Sequence, residues 1–176
     1  MRNWKKKAIV FTLATGLLLS AATLSTINTA SANTQKQAAQ STNVKHQVIL
    51  KQTKNLADDG KTINSEKFGV GSSTKDIIKK WGQPDNPKEE ISLKYSKRQI
   101  EFLARSKKVT TVVSNDNRYE GITYQEVVDT LGLPYEYEDG KDIIISYEAE
   151  KHTLKIAFNR SGKDQSPSTI KYLFVK

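Results

Sequence analysis

The chain has 176 residues, no cysteine, and 28 Lys and Arg against 19 Asp and Glu, for a formal net charge of +9. Missing cysteines exclude a disulfide scaffold, a thiolate metal site and a lipid-attachment cysteine. The surplus of positive charge allows mild attraction to polyanions but does not by itself make a nucleic-acid binder.

Arg2, Lys5, Lys6 and Lys7 precede an uncharged apolar stretch from Ala8 to Leu19, and Ala30-Ser31-Ala32 forms a small-x-small site. That order is the pattern of a secretory signal peptide. An apolar stretch of about 12 residues is too short to span a bilayer, which needs roughly 20. The expectation is export and release by cleavage between Ala32 and Asn33, with no membrane embedding afterwards. Removing 32 residues and their four basic groups leaves 144 residues with a charge of +5, the length of one domain. An exported domain without disulfides suits a Gram-positive secreted protein, extracellular or loosely wall-associated.

Residues 33–45 are polar without an apolar period and are expected to form a disordered tether. From His46 to Asp59 the spacing of Ile49, Thr53, Leu56 and Ala57 predicts a helix, closed by Gly60 in the left-handed conformation. A connecting loop then brings in Phe68 and Val70.

The segment "GSSTKDIIKKWGQPD" from Gly71 reappears fifty residues later as "GITYQEVVDTLGLPY" from Gly121. Thr123 with Glu126 spells a capping box, and Ser73 with Asp76 fills the same slots with a shorter acid. Ile77, Ile78 and Trp81 match Val127, Val128 and Leu131 as the buried stripe of a short helix. Gly82 and Gly132 end these helices at positive φ, and Pro84 and Pro134 stop them from continuing.

Three strands follow each corner: "ISLKY", "RQIEFLA" and "VTTVV" in the first half, "DIIISY", "HTLKIAF" and "TIKYLFV" in the second. The predicted class is therefore α+β. Two tandem units, about 46–116 and 119–176, each hold a helix and a three-stranded antiparallel meander, with sheets side by side and helices on one face. A unit of about 50 residues cannot bury enough apolar surface to stand without staples, whereas two can share a core.

This order of helix, Gly-x-Pro corner, tyrosine-ended strand and meander, written twice, resembles the β-lactamase-inhibitor-protein-like fold. Within it, "ILKQTKNLADDGKTIN" followed by "KKWGQPD" is similar to the YjgB-like family of secreted proteins from bacilli, whose function is unknown. The resemblance covers about Val48 to Lys176. It implies a concave sheet face that grips another protein. No residue-level contact motif of the inhibitor carries over.

Few residues point to catalysis. His46 sits beside the tether and His152 opens a strand as an exposed, structurally neutral residue, and nothing resembles a nucleophile elbow. Two such distant His do not make a zinc site. Glu136, Glu138, Asp139 and Asp142 cluster, but their spacing fails a calcium loop, and they read as a solvated acidic turn. Tyr95, Tyr147 and Trp81 read as packing residues. The expectation is a non-enzymatic protein with no metal and no cofactor.

Strand alternation defines an open sheet face bearing Ser92, Lys94, Glu101, Leu103, Arg105, Ile144, Ser146, Lys155, Ala157, Leu173 and Val175. That mixture of apolar and charged groups is richer in apolar residues than a solvated sheet requires, and marks a candidate protein-binding face. Lys97, Arg98, Arg105, Lys107 and Lys108 in one hairpin are a candidate polyanion site, for wall polymers or anionic lipid headgroups rather than nucleic acid. The expected function is protein binding, with inhibition of a secreted or wall enzyme as its finer form. The alternative is binding of an anionic wall polymer, with wall hydrolysis a third reading.

Overall fold

The structure is a computed structural model that describes the chain from Thr29 to Lys176. Its helices are α1 (Thr29–Asp58), α2 (Thr74–Trp81) and α3 (Tyr124–Leu131). The strands are β1 (Ser92–Tyr95), β2 (Ile100–Arg105), β3 (Lys108–Ser114), β4 (Glu136–Asp139), β5 (Ile143–Ala149), β6 (His152–Ser161) and β7 (Ser166–Val175). They form one antiparallel sheet in the order β1-β2-β3-β7-β6-β5-β4, so the third strands of the two meanders meet at its centre. The class is α+β, as the sequence pattern predicts.

One cross-strand row, Leu93, Phe102, Val112, Val175, Leu154 and Tyr147, runs through six strands on the helix side. All six side chains are buried. Ile77 of α2 packs with the first-unit end of this row, and Val127 of α3 with the second-unit end. The expected single shared core is two clusters, with Val70 packed against both.

The duplication extends to hydrogen bonds. Gly82 has φ 86° and ψ −173°, Gly132 φ 84° and ψ −172°, and each donates its N–H to the residue four back, at 2.9 Å in both units. The Tyr95 hydroxyl donates to the Gly82 carbonyl at 2.9 Å, and the Tyr147 hydroxyl to the Gly132 carbonyl at 3.0 Å. Each tyrosine thus ties the corner after a helix to the first strand of its meander. Helix starts differ: Thr123 and Glu126 form the full capping box, whereas the Ser73 side chain makes no cap hydrogen bond.

Both third strands carry a bulge. Opposite β2, the extra residue of β3 is Thr110; opposite β6, that of β7 is Lys171. An extra residue reverses the inside–outside alternation beyond it. Val109 and Val112 therefore both face the helices, as do Ile170 and Leu173.

Four expectations need correction. Residues 33–45 belong to α1, so the expected tether is helical and the expected Ala32–Asn33 cleavage point lies within that helix. Gln, Lys and Ala are good helix formers, and extending an existing helix carries no nucleation cost. The rest of the signal-peptide segment, residues 1–28, lies outside the described residues. Second, α1 packs on the second unit, placing Ile49, Leu50 and Ala57 in its cluster rather than with residues 46–116. Third, the acidic turn contains strand β4, paired with β5. Fourth, β6 and β7 extend into the expected long connection, leaving a turn between Ser161 and Ser166.

The sheet's two edges are closed differently. At β1, Asn86 donates its side-chain amide to the Ser92 carbonyl and accepts from the Lys94 N–H, while the Asp85 N–H reaches the Lys94 carbonyl. At β4 the outer strand is exposed and acidic, and charge at an edge discourages further pairing.

Replacing Gly82 or Gly132 with Val should cost on the order of 1–3 kcal/mol each, because this φ/ψ region is almost confined to glycine. A Cβ at either position meets nothing within 4 Å, so backbone strain accounts for the loss. Comparable falls in melting temperature for the two variants are expected; a fall in only one would break the equivalence.

Burial pushes the Tyr119 phenol up from 10.0 to about 12, against the opposing Thr53 hydroxyl, and burial does the same to Tyr147. The folded chain then holds these protons more tightly than the unfolded one. Their contribution is complete below pH 10.0 and is lost as pH rises towards about 12. Melting temperatures across that range should fall, and the Tyr119→Phe, Tyr147→Phe double variant should flatten the fall.

Candidate functional site

The face opposite the helices carries a second cross-strand row through all seven strands: Lys94, Glu101, Val113, Phe174, Lys155, Ser146 and Glu136. With strands about 4.8 Å apart, this row is about 29 Å wide. A parallel row in the second unit holds Tyr172, Ala157, Ile144 and Glu138. In the first unit, Leu103 lies between Ser92 and Thr111.

Lys94, Glu101, Leu103, Arg105, Ile144 and Lys155 therefore stand on the face that strand alternation assigns them. Leu173 and Val175 do not. Both are fully buried among the helices, because the Lys171 bulge reverses the parity of β7 beyond Ile170. In their place the open face receives Tyr172 and Phe174, half-buried, with stacked rings 6.2 Å apart and 27° from parallel. The sequence does carry the signal: "VTTV" at Val109 and "IKYL" at Ile170 both put two residues between inward positions.

The apolar middle of the face, Val113, Tyr172, Phe174 and Ile144, lies between two polar arrangements. On the first unit, Ser92 donates to Glu101 at 2.5 Å, and Asn86 donates to the Ser92 hydroxyl at 3.1 Å. On the second, the Lys155 ammonium contacts Glu138 and, at 3.3 Å, Glu136, which also accepts from Ser146 at 3.1 Å. The Glu138 hydrogen bond raises the Lys155 pKa, against burial, with Glu136 adding to it. The Ser146 hydroxyl and then Lys155 hold the Glu136 carboxyl below the ordinary carboxylate value.

The remaining acids of the β4 region are also engaged. Asp139 pairs with Arg160 at 2.7 Å, and Asp142 accepts from Lys171 at 2.7 Å and Tyr172 at 3.0 Å. The Lys171 bond leads in lowering the Asp142 pKa, while burial leads in raising that of Tyr172. The expected solvated turn is thus a set of paired carboxylates. Among the described residues no group of three His, Cys, Asp or Glu could hold a metal ion.

The basic residues do not form one patch. Lys97 and Arg98 lie in the turn before β2, and Arg105, Lys107 and Lys108 at its far end. Arg98 is engaged with Glu66 at 2.8 Å and stands 4.4 Å over the Trp81 ring.

Neither His stands where its neighbours suggest proton transfer. His46 lies on α1 with Nδ1 2.9 Å from Glu126, which is also the capping acid of α3. Burial raises the Glu126 pKa, but the Thr123 backbone, His46 and the Thr123 hydroxyl outweigh it and hold the carboxyl low. His152 is half-buried rather than exposed. Its ring lies so close to Gly60, at φ 72°, that a Cβ there would fall 2.8 Å from Nε2.

Fold and face together define a small cysteine-free α+β domain whose seven-stranded sheet is, among the described residues, covered on one side only. The chain belongs to the DUF4309 family, a domain of unknown function, which matches residues 50–175. It is similar to the crystal structure of a DUF4309 family protein, YjgB, from Bacillus subtilis subsp. subtilis strain 168, with a TM-score of 0.59 and 16% identity. The likeness covers 74% of this chain and 96% of that one, and at this identity it shows the fold alone. The family resemblance of the Ile49–Asn64 and Lys79–Asp85 segments is thereby confirmed, while neither match carries the inhibitor-type fold name. No curated protein matches the sequence. No described helix is long and apolar enough to cross a membrane.

Lys155→Ala should release Glu136 from its cation and raise the Glu136 pKa towards the ordinary value. Carbon-detected NMR titration of the carboxyl reads this directly; an unmoved titration would mean that Lys155 does not hold the acid in solution.

Proposed function

We propose that the protein is an exported, non-enzymatic binding module that grips another protein with the open face of its sheet. The observation that carries this reading is the stacked Tyr172–Phe174 pair on a central strand, beside Val113 and Ile144 and rimmed by Lys94, Glu101, Lys155 and Glu136. An aromatic centre with a charged rim matches the anatomy of protein interfaces, whose binding energy concentrates in a few central aromatic residues. Export is supported by the basic, apolar and small-residue order of residues 1–32. Inhibition of a secreted or wall-associated enzyme is the finer form of the same proposal.

A second reading, binding to an anionic wall polymer, is favoured by Arg105, Lys107 and Lys108 at one turn. The separation of Lys97 and Arg98 from that turn, and the engagement of Arg98 with Glu66, support it less than a single patch would. For wall hydrolysis, the partners of His46 and His152 offer no nucleophile to activate.

Crosslinking and pulldown with the tagged protein, from culture medium and wall extract, tests the first reading. A protein partner should be recovered, lost with Leu103→Asp and with Phe174→Ala, and retained with Leu133→Asp, which lies outside the face. Recovery indifferent to both face variants would refute it. Wall retention that falls steeply with salt and disappears on replacing Arg105, Lys107 and Lys108 with Ala would favour the polymer instead.

A further inference from the structure

The two units differ in the side chains around their outer corners. In the second, Tyr124 and Phe158 meet edge to face, ring centroids 5.4 Å apart, and Ile143 is buried at 1% exposure. Strand β4 runs beside β5 there, with Tyr137 opposite Ile145 on the helix side. The matching residues of the first unit are Thr74, Ala104 and Ile91. Two rings are replaced by a hydroxyl and a methyl, no fourth strand follows, and Ile91 is 71% exposed.

The consequence is a groove of about 730 Å³ on the helix side of β1, walled by Thr74, Ile78, Pro84, Pro87, Ile91 and Ala104. Lys75, Arg105 and Lys107 also line it, as do Glu89 and Glu90. None of these three cations is in an ion pair among the described residues.

We propose that this groove docks an extended segment of a partner protein, seating one aromatic side chain against Ile91 and Ala104 and a neighbouring carboxylate on Arg105 and Lys107. The second unit supplies the template, because there the rings of Tyr124 and Phe158 fill the matching space, beside the acidic, tyrosine-bearing strand β4. Three basic side chains against two acidic ones in the lining supply a net complementary charge. Backbone pairing is not the means of attachment, since Asp85 and Asn86 already engage Lys94 and Ser92 of β1. The groove lies on the helix side of the sheet, shares only Arg105, at the end of β2, with the open face, and does not rest on the reading of that face.

The test uses a labelled synthetic peptide with the sequence of residues 133–139, titrated into the purified full chain and read by fluorescence anisotropy. Saturable binding is expected, weakened by about tenfold or more when the peptide's tyrosine at position 137 is Ala. The same loss is expected for Thr74→Tyr with Ala104→Phe in the protein, which installs the second unit's own rings and fills the groove. A circular dichroism melt checks that this variant is folded, and the smaller Arg105→Glu, Lys107→Glu variant weakens binding through charge alone. Leu103→Asp, on the open face, should leave the affinity unchanged. No saturable binding, equal affinity for the Ala peptide, or undiminished binding by the folded, filled variant would overturn the proposal. Self-association of the wild-type chain in sedimentation, abolished by filling the groove, would make the occupant a second copy and overturn the partner assignment.

Discussion

The structure depends on one short antiparallel contact between β3 and β7, where Val112 meets Val175, Val113 meets Phe174 and Ser114 meets Leu173. A unit of about 50 residues cannot exclude enough apolar surface from water to be stable alone. This contact turns two marginal sheets into one. Its residues alternate between the faces, so the same pairing that buries Val112 and Val175 under the helices sets Val113 beside Phe174 on the open side. Core and candidate site share a single register, and neither could slip without the other.

The halves are nonetheless not interchangeable. The C-terminal half of α1 packs on the second, where His46 reaches the capping acid of α3 and Thr53 meets the buried Tyr119 hydroxyl at 3.1 Å. The first unit fills its core with aromatic contacts instead: Trp81 packs edge-on to Phe68 and Tyr95, at 5.4 and 5.2 Å between centroids. Where the second unit has a helix and a fourth strand, the first has a tryptophan and an asparagine amide. Similar backbones are thus completed by different chemistry, and the completions leave the halves with different surfaces.

Helices α2 and α3, their glycine corners and six of the seven strands were legible because each follows from local pattern: period, cap, breaker and alternation. Tyr95 and Tyr147 were readable as packing residues because they share a face with Leu93 and Ile145. What escaped depended on contacts distant in sequence. β4 is acidic and exposed, and only Lys155 and Arg160 from β6, with β5 alongside, make a strand of it. Nine of the eleven residues assigned to the open face were placed correctly from parity alone. Leu173 and Val175 failed because parity does not survive a bulge, which only the two-residue gap between the apolar Ile170 and Leu173 betrays. The basic hairpin looked compact only because a strand was counted in letters; in space, β2 separates its ends.

Closure of the two sheet edges bears on how the molecule behaves in a crowd. A seven-stranded sheet with free ends is a template for its own kind, growing by one copy at a time into an aggregate. Here the β1 end meets an arriving chain with an amide that already mimics the next strand. The β4 end meets it with alternating carboxylates that would have to lie against those of a second copy. These two forms of refusal act without cysteines, so the barrier to polymerisation does not change with the redox state of the surroundings.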